Sequence, residues 1–276
     1  MKRILCLLLI LCTLCCNMLS CAKRDERQYA QNLNKAIEAE DFEAVRQIIA
    51  ECPDSVNTYP TVAPGWWQAE MLMTTIYYPL SEACKSGNLE MVKLLVESGA
   101  DVNSHNPDWY VVTPLHVTLL YGKGEWYDIV MYLIDNGASI DYTYQKASGK
   151  GAMLIDIIED FRKESEEDEE NLDKLFAYVL ENCDKTNVDW PRVLFKAVIW
   201  SRHNMTRMLI EGGYCDVNEL YSGQTPLMYA ISRSDAKMVK YLLDNEADIT
   251  AVDEDGKTVF DYVAECEDEE IKALFK

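Results

Sequence analysis

Histidine is scarce in this 276-residue chain, and the motifs of catalysis are missing. The three histidines, His105, His116 and His203, form neither an HxxxH pair nor an HExxH motif. There is no nucleophile elbow, phosphate-binding glycine loop or metal-ligand spacing. With 47 acidic residues, chance proximity of two carboxylates is uninformative. The sequence therefore predicts a protein that is not an enzyme, with no catalytic residues, no metal site and no cofactor.

Positive charge is also in short supply. The 26 Lys and Arg residues leave a net charge of −21. This charge opposes electrostatic binding to nucleic acid or to an anionic membrane surface, so we expect neither as a partner. A basic protein partner is compatible with the charge. The acidity would equally serve to keep the protein soluble.

Paired cysteines are missing as well. Five of the ten cysteines lie in the first 21 residues, and the other five are Cys52, Cys84, Cys183, Cys215 and Cys266. Their odd number, wide spacing and lack of a CxxC motif predict neither a disulfide framework nor a zinc site. We expect Cys84, next to Ala83, to be a small buried residue.

Only the N-terminus has a long hydrophobic run. Lys2 and Arg3 precede an apolar stretch over residues 4–11, which continues with interruptions to residue 19. A membrane-spanning helix needs about 20 apolar residues, so this stretch fits a secretory signal peptide over residues 1–20 better than a permanent span. The sequence predicts an exported protein.

The end of this segment, Met18-Leu19-Ser20-Cys21, resembles the lipobox of bacterial lipoproteins, with Met18 where an aliphatic residue is usual. The resemblance implies lipidation of Cys21, a tether over residues 21–28 and, because Ala22 follows the cysteine, an outer-membrane location in two-membrane bacteria. Ser20-Cys21-Ala22 also fits ordinary cleavage after Ala22, which would release a soluble periplasmic protein.

A pattern of two short helices recurs along the rest of the chain. Thr225-Pro226 has the N-cap and first-turn residues of a helix, and Ser234-Asp235 starts a second one. Each is followed by apolar residues on one helical face: Leu227, Ala230 and Ile231, then Met238, Val239, Leu242 and Leu243. Leu194 and Leu227 are 33 residues apart, as are Thr225 and Thr258.

This period and its motifs resemble the ankyrin family. The motifs are Thr113-Pro114-Leu115-His116, Thr225-Pro226-Leu227-Met228, Tyr78-Pro79-Leu80-Ser81 and the helix endings over residues 94–103 and 133–138. The resemblance implies an all-α ankyrin-repeat solenoid of about seven helix-turn-helix units with short β-hairpin-like fingers. We expect one domain over residues 29–276, with cap repeats at 29–56 and 255–276, in a monomer.

Ankyrin-like stacks bind other proteins along a groove formed by the fingers and first helices, so the resemblance implies a protein partner. Aromatic residues that the core pattern does not require fall in the finger segments: Trp66, Trp67, Trp109, Tyr110, Tyr142, Tyr144 and Tyr221. We predict that they contact the partner, because Trp and Tyr are favoured at interfaces. Trp66 and Trp67 could equally fold back onto neighbouring helices.

Three departures from the repeat pattern stand out. The acidic run over residues 164–170 is a solvated loop, a helix extension or a docking patch for a basic partner. Arg192-Val193 stands where Thr-Pro is expected, and Glu246 stands where a helix-ending glycine is expected. Both changes predict less stable junctions.

Two functional hypotheses follow. The first is a scaffold in the bacterial cell envelope that holds a protein partner. The alternative is an inhibitor or immunity protein that neutralises an envelope-located toxin or enzyme, since a strongly acidic decoy would suit a basic target.

Overall fold

The computed structural model describes residues 26–60, 77–105, 113–121, 123–141, 152–159 and 166–276. The predicted signal peptide and Cys21 lie outside these residues. The chain divides between Ser139 and Ile140 into two compact units. Within the described ranges of both units the regular elements are helices, as predicted.

The described residues of the first unit form six α-helices. They are α1 (26–38), α2 (Phe42–Glu51), α3 (Pro79–Ser86), α4 (Leu89–Glu97), α5 (Pro114–Tyr121) and α6 (Trp126–Asp135), with a 3-10 turn at Pro53–Asn57 after α2. Residues 26–28, assigned to the tether from the sequence, are already helical. First helices α3 and α5 pack together, as do second helices α4 and α6.

Eight α-helices lie in the part of the second unit that the structure describes. They are α7 (Ala152–Glu159), α8 (Glu166–Asn182), α9 (Trp190–Ile199), α10 (His203–Glu211), α11 (Pro226–Ser232), α12 (Ala236–Asp244), α13 (Val259–Glu265) and α14 (Glu269–Leu274), with a 3-10 turn at Lys185–Asn187. First helices α7, α9, α11 and α13 pack in sequence order, and second helices pack as the pairs α8 with α10 and α12 with α14. This is the helix-pair stacking expected of an ankyrin solenoid.

The core of the second unit lies between its first and second helices. Leu194 and Leu227 on the first helices and Leu209 and Leu242 on the second helices are at most 1% exposed. Each buried leucine contributes about 1.5–3 kcal/mol, but a single helix pair has too few of them to be stable alone. Stacking of successive pairs is therefore what makes these short helices stable.

The helix starts follow from capping chemistry. Thr225 accepts the amide of Met228 at 3.4 Å, and Asp235 accepts the amide of Met238 at 3.0 Å, which confirms both predicted starts. Thr258 and Asp261 form a reciprocal capping box before α13. Arg192-Val193, which stands where Thr-Pro is expected, lies inside the helix, because α9 begins at Trp190 with Asp189 as its N-cap.

The acidic run after α7 is helical where it is described. Helix α8 starts at Glu166, so residues 166–170 extend the second helix of this repeat instead of forming a loop. Glu170 pairs with Lys174 at 2.8 Å.

Three asparagines tie successive repeats together in the same way. Each side-chain amide donates to a backbone carbonyl of the next repeat and accepts an amide two residues further on. The carbonyl and amide pairs are Gly99 and Asp101 for Asn57, Gly137 and Ser139 for Asn103, and Glu246 and Asp248 for Asn218. These asparagine clamps fix the register of neighbouring repeats.

Helix endings use left-handed backbone. Gly99 and Gly137 have φ values of +91° and +90°, and Glu246 has a φ of +66° at the equivalent place in a later repeat. Two fingers contain antiparallel β-bridges, Tyr221 with Gln224 and Val252 with Thr258, as predicted for hairpin-like fingers.

Five cysteines lie in the described residues, and Cys52, Cys84, Cys183, Cys215 and Cys266 are all free thiols. Cys84 is fully buried, which confirms its predicted place in the core. Burial raises the pKa of Cys84 and of Cys215 to about 12, so both thiols are unreactive at neutral pH. No helix within the described ranges has the length and hydropathy needed to span a membrane.

Candidate protein-binding surface

Of the seven aromatic residues predicted to contact a partner, one lies in the described part of the chain. Tyr221 is half-buried in the finger that precedes α11, where its backbone pairs with Gln224. The other six lie outside the described residues: Trp66, Trp67, Trp109, Tyr110, Tyr142 and Tyr144.

Tyr221 is part of a group of aromatic rings from two repeats. Its ring stacks on Phe195 of α9, with centroids 4.6 Å apart and planes 18° apart. Tyr229 of α11 packs against the same phenylalanine at 4.4 Å. The Tyr229 hydroxyl donates to the Tyr221 carbonyl at 2.9 Å, which fixes the finger to the helix behind it.

The next repeat adds Tyr262 on α13, which packs against α11. Tyr262 lies 33 residues after Tyr229 and has the same place in its repeat. Its hydroxyl donates to Asp253 Oδ2 at 2.5 Å and accepts a hydrogen bond from Gln224 Nε2. We call the half-buried rings of Phe195, Tyr221, Tyr229 and Tyr262 the aromatic row.

Hydrogen bonding fixes the charge state at the Tyr262 end of the row. The Tyr262 hydroxyl, followed by the backbone amides of Lys257 and Asp255, lowers the pKa of Asp253. Burial and the hydrogen bond to Asp253 raise the pKa of Tyr262 to about 12. At neutral pH Tyr262 is therefore a neutral donor to an ionised Asp253.

Two lysines flank the aromatic row, and both are paired with glutamates. Lys196 pairs with Glu159 of α7, and its ammonium lies 6.0 Å from the Phe195 centroid. Lys257 pairs with Glu265 at 2.8 Å and lies 5.6 Å from the Tyr262 centroid. These ion pairs compensate the positive charge beside the row.

Negative charge dominates the same region. Residues 244–276 contain twelve Asp and Glu residues but three Lys and no Arg. Glu254 is exposed. Its side chain lies beside the finger of Tyr221, so close to Gly223 that a Cβ added to this glycine would lie 2.1 Å from Glu254 Cγ. Within the described ranges, Glu254 makes no side-chain hydrogen bond or ion pair. Its carboxylate is available to a partner.

Exposed apolar side chains adjoin these features. Leu220, next to Tyr221, is 57% exposed. Phe260 on the last repeat is 50% exposed and packs edge-on against Phe275 at 6.0 Å. The surface of this last repeat therefore includes an apolar patch as well as exposed Glu267 and Glu270.

The first unit has a smaller group of this kind. Leu120 and Tyr121 at the end of α5 are about half exposed, at 49% and 48%. Tyr121 packs edge-on against Tyr77 at 6.3 Å, and Lys85 lies 5.6 Å from the Tyr77 centroid. None of these residues was among the predicted contacts.

Of the aromatic row, Tyr221 was among the contacts predicted from the sequence, whereas Phe195, Tyr229 and Tyr262 were not. Aromatic residues inside helices were attributed to the core, whereas these three rings are half-buried. The 33-residue recurrence of tyrosine, one position before Ala230 and Val263, could have identified two of them. The described residues include no group of three or more His, Cys, Asp or Glu side chains placed to hold a metal ion.

Comparisons with known proteins agree with this architecture. A family model described as ankyrin repeats (3 copies) matches residues 33–144 and 165–273. Protein phosphatase 1 regulatory subunit 27 of human is 44% identical over 85 residues, which are 31% of this chain and 49% of that protein. The mouse protein is 44% identical over 84 residues, which are 30% of this chain and 49% of the mouse protein. The chain thus spans about half the length of these curated relatives.

Solved structures show the same fold. The ankyrin repeat domain of human ASB11 is similar with a TM-score of 0.60 and 21% identity, over 88% of this chain and 96% of that one. The ankyrin repeat domain of Bcl-3 has a TM-score of 0.58 and 20% identity, over 89% of this chain and 98% of the Bcl-3 chain. The matched repeats cover most of the sequence, and the chain therefore belongs to the ankyrin-repeat family.

Proposed function

We propose that this protein is a non-catalytic scaffold that binds another protein through its fingers and first helices. The observation that supports this most directly is the aromatic row, where Tyr221 of a finger stacks on Phe195 of a first helix. Half-buried Tyr and Phe side chains bury much area at little conformational cost when a partner binds. The curated relatives are named as regulatory subunits, which favours a binding role over a catalytic one.

The proposed surface also includes the finger residues outside the described ranges, Trp66, Trp67, Trp109, Tyr110, Tyr142 and Tyr144. Their support is the sequence pattern, because they fall between helix pairs at positions that the core does not need. We propose one protein partner per monomer, of basic character given the net charge of −21.

The binding surface can be tested by affinity capture from envelope extracts, followed by mass spectrometry of the retained proteins. We expect the combined variant Trp109→Ala, Tyr110→Ala and Tyr142→Ala to lose the partner while circular dichroism shows unchanged helicity. The control is Tyr178→Ala, which removes a half-buried tyrosine from second helix α8. Retention of the partner by the triple variant would reject the fingers as its binding surface.

We further propose that the protein is exported and anchored to the outer membrane by a lipid on Cys21, with the membrane contacted through that lipid. The support is the charged start, the apolar run over residues 4–11 and the Leu19-Ser20-Cys21 sequence. Metabolic labelling with a fatty acid should mark the wild type and not Cys21→Ser. A mature N-terminus at Lys23 would instead indicate a soluble periplasmic protein.

A second candidate function is inhibition, in which the protein neutralises a toxin or enzyme in the envelope. The net charge of −21 favours this for a basic target, because opposite charge accelerates association. If the captured partner is an enzyme or toxin, stoichiometric addition of the pure protein should abolish its activity. Full activity in the complex would favour the scaffold.

A further inference from the structure

The middle of the aromatic row differs from its two ends. At the ends, Lys196 lies over Phe195 and Lys257 lies over Tyr262, so the protein itself places a cation on each of these rings. Of the described residues, no lysine or arginine lies over Tyr221 or Tyr229. The two tyrosines between the lysines therefore have rings suited to a cation that the chain does not provide.

We propose that Tyr221, Tyr229 and Glu254 bind an arginine side chain in an extended segment of the partner protein. This inference rests on the proposed function and assigns the chemistry of the segment that is bound. The guanidinium stacks on the tyrosine rings, and its N–H groups donate to the Glu254 carboxylate.

Glu254 is the carboxylate best placed for this role. It is exposed and without a side-chain partner among the described residues, whereas Asp253 accepts from Tyr262 and Asp261 accepts from Thr258. Its side chain lies against Gly223, at the tip of the finger that holds Tyr221. Burial, then the neighbouring Tyr221 and Glu254, raise the pKa of Tyr229, which agrees with a carboxylate close to that ring.

Arginine fits this site better than lysine. A guanidinium is planar, stacks on aromatic rings and donates to both carboxylate oxygens at once, whereas an ammonium is compact and more strongly hydrated. The surrounding charge agrees, since residues 244–276 contain twelve acidic residues against three lysines. A basic segment is therefore attracted to this part of the chain before it makes contact.

The dimensions of the row favour an extended segment. Packed helices lie about 8–10 Å apart, so the distance from α9 across α11 to α13 is roughly 20 Å. An extended chain covers this distance with about six residues. Exposed Leu220 beside Tyr221 provides apolar area for the residue next to the arginine.

The test uses a synthetic nonapeptide with three arginines separated by Gly-Ser spacers, titrated into the full-length protein at low salt. Fluorescence anisotropy of a labelled peptide reports binding. The controls are peptides of the same sequence with lysine or with uncharged citrulline. We expect the arginine peptide to bind about three- to tenfold more tightly than the lysine peptide, and the citrulline peptide not to bind.

Variants assign the binding to these residues. Glu254→Gln and Tyr229→Leu should each weaken the arginine peptide about three- to tenfold, while Tyr229→Phe, which keeps the ring but loses the hydrogen bond to the Tyr221 carbonyl, should weaken it less than Tyr229→Leu. Glu211→Gln on second helix α10 removes the same charge from an exposed site elsewhere and should have no effect. If Tyr229→Leu unfolds, the arginine-peptide affinities of Glu254→Gln and Glu211→Gln are compared instead, and a loss confined to Glu254→Gln supports the site.

Two results would overturn the inference: equal binding of the arginine and citrulline peptides, or equal weakening by Glu254→Gln and Glu211→Gln. Failure of the proposed function is distinguishable. If wild-type protein captures no protein from envelope extracts, the scaffold is rejected whatever the peptides do. If it captures a partner that Glu254→Gln retains equally well, the arginine site alone is rejected.

Discussion

Glu246 has an unfavourable backbone conformation that glycine adopts more easily. Its φ of +66° lies in the left-handed region, where a side chain with a Cβ costs roughly 1–2 kcal/mol. Gly99 and Gly137 occupy the same place in earlier repeats, with φ values of +91° and +90°. The Glu246 carbonyl still accepts the Asn218 amide, so the clamp does not depend on the side chain.

We therefore predict that Glu246→Gly raises the free energy of unfolding by about 0.5–1 kcal/mol, after allowance for the greater entropy of glycine in the unfolded chain. The matched change is Gly99→Ala, which should lower the free energy of unfolding by about 1 kcal/mol. A Cβ at Gly99 has no heavy atom within 4 Å, so this loss reports backbone conformation and not a clash. Urea titrations measure both, and a destabilised Glu246→Gly would contradict the explanation.

Residue patterns predicted the helix starts well where one short motif determines the cap. Thr225-Pro226 and Ser234-Asp235 have this property, and both starts are confirmed. The repeat spacing alone does not locate the start of α9, because it points to Arg192, while Asp189 three residues earlier forms the cap. The sequence identified Glu246 as a departure from the repeat pattern, but it could not give the φ angle of this residue.

At the scale of helices, α9 allows a direct test of which residue begins it. Asp189 accepts the Arg192 amide at 3.3 Å, and Pro191 lies in the first turn, where its missing N–H costs nothing. Asp189→Ala should lower the free energy of unfolding by about 1 kcal/mol, whereas Asp189→Ser should be nearly neutral.

The comparison for that test is Arg192→Thr, which restores the residue expected from the repeat spacing. We expect no gain in stability from it, because position 192 lies inside the helix and not at its start. A stabilising effect of Arg192→Thr equal to the loss from Asp189→Ala would show that the helix starts at the later site. Thermal unfolding followed by circular dichroism distinguishes the two.

Helices α10 and α12 are linked by a charge-dependent contact. His203 Nε2 lies 3.0 Å from Asp235 Oδ1, the oxygen that also caps α12. Burial disfavours the Asp235 carboxylate, but the Met238 amide, His203 and Ser201 outweigh this and lower its pKa from the ordinary value of an aspartate. Because the folded-state pKa is lowered, the stabilisation is present above the unfolded pKa and is lost as pH falls through the folded one.

Asp235→Asn tests this linkage without removing the cap, since asparagine is also a good N-cap residue. The wild type should be more stable than the variant at pH 6, and the difference should shrink as the pH falls from about 5 to 3. Urea midpoints at a series of pH values measure it. A difference that stays constant down to pH 3 would show that the carboxylate charge has no part in the contact.

At the scale of the whole molecule, the fold is more predictable from the sequence than the proposed binding surface. The ankyrin repeat is determined by many weak matches at a fixed period, so a departure at a single helix such as α9 does not change the result. The proposed surface depends on which rings remain exposed after packing. The finger position of Tyr221 follows from the sequence pattern, whereas the half-buried rings of Tyr229 and Tyr262 depend on the packing of α11 against α13.

The net charge of −21 is also a property of the whole chain. Like charges repel more strongly in a compact state than in an unfolded one, so this charge destabilises the native protein. Several acidic side chains have no ion-pair partner within the described ranges, among them Glu254, Glu267 and Glu270. The repulsion is therefore incompletely balanced by local pairs such as Lys257 with Glu265.

We predict that added NaCl stabilises the folded protein. Between about 0.01 and 0.1 M salt the Debye length falls from about 30 to 10 Å, which screens repulsion between distant carboxylates but affects buried pairs less. The urea midpoint at pH 7 should rise over this range. A variant with Glu254, Glu267 and Glu270 all changed to Gln should start from a higher midpoint and respond less to salt. A wild-type midpoint that falls with added salt would mean that its ion pairs stabilise the protein more than its excess charge destabilises it.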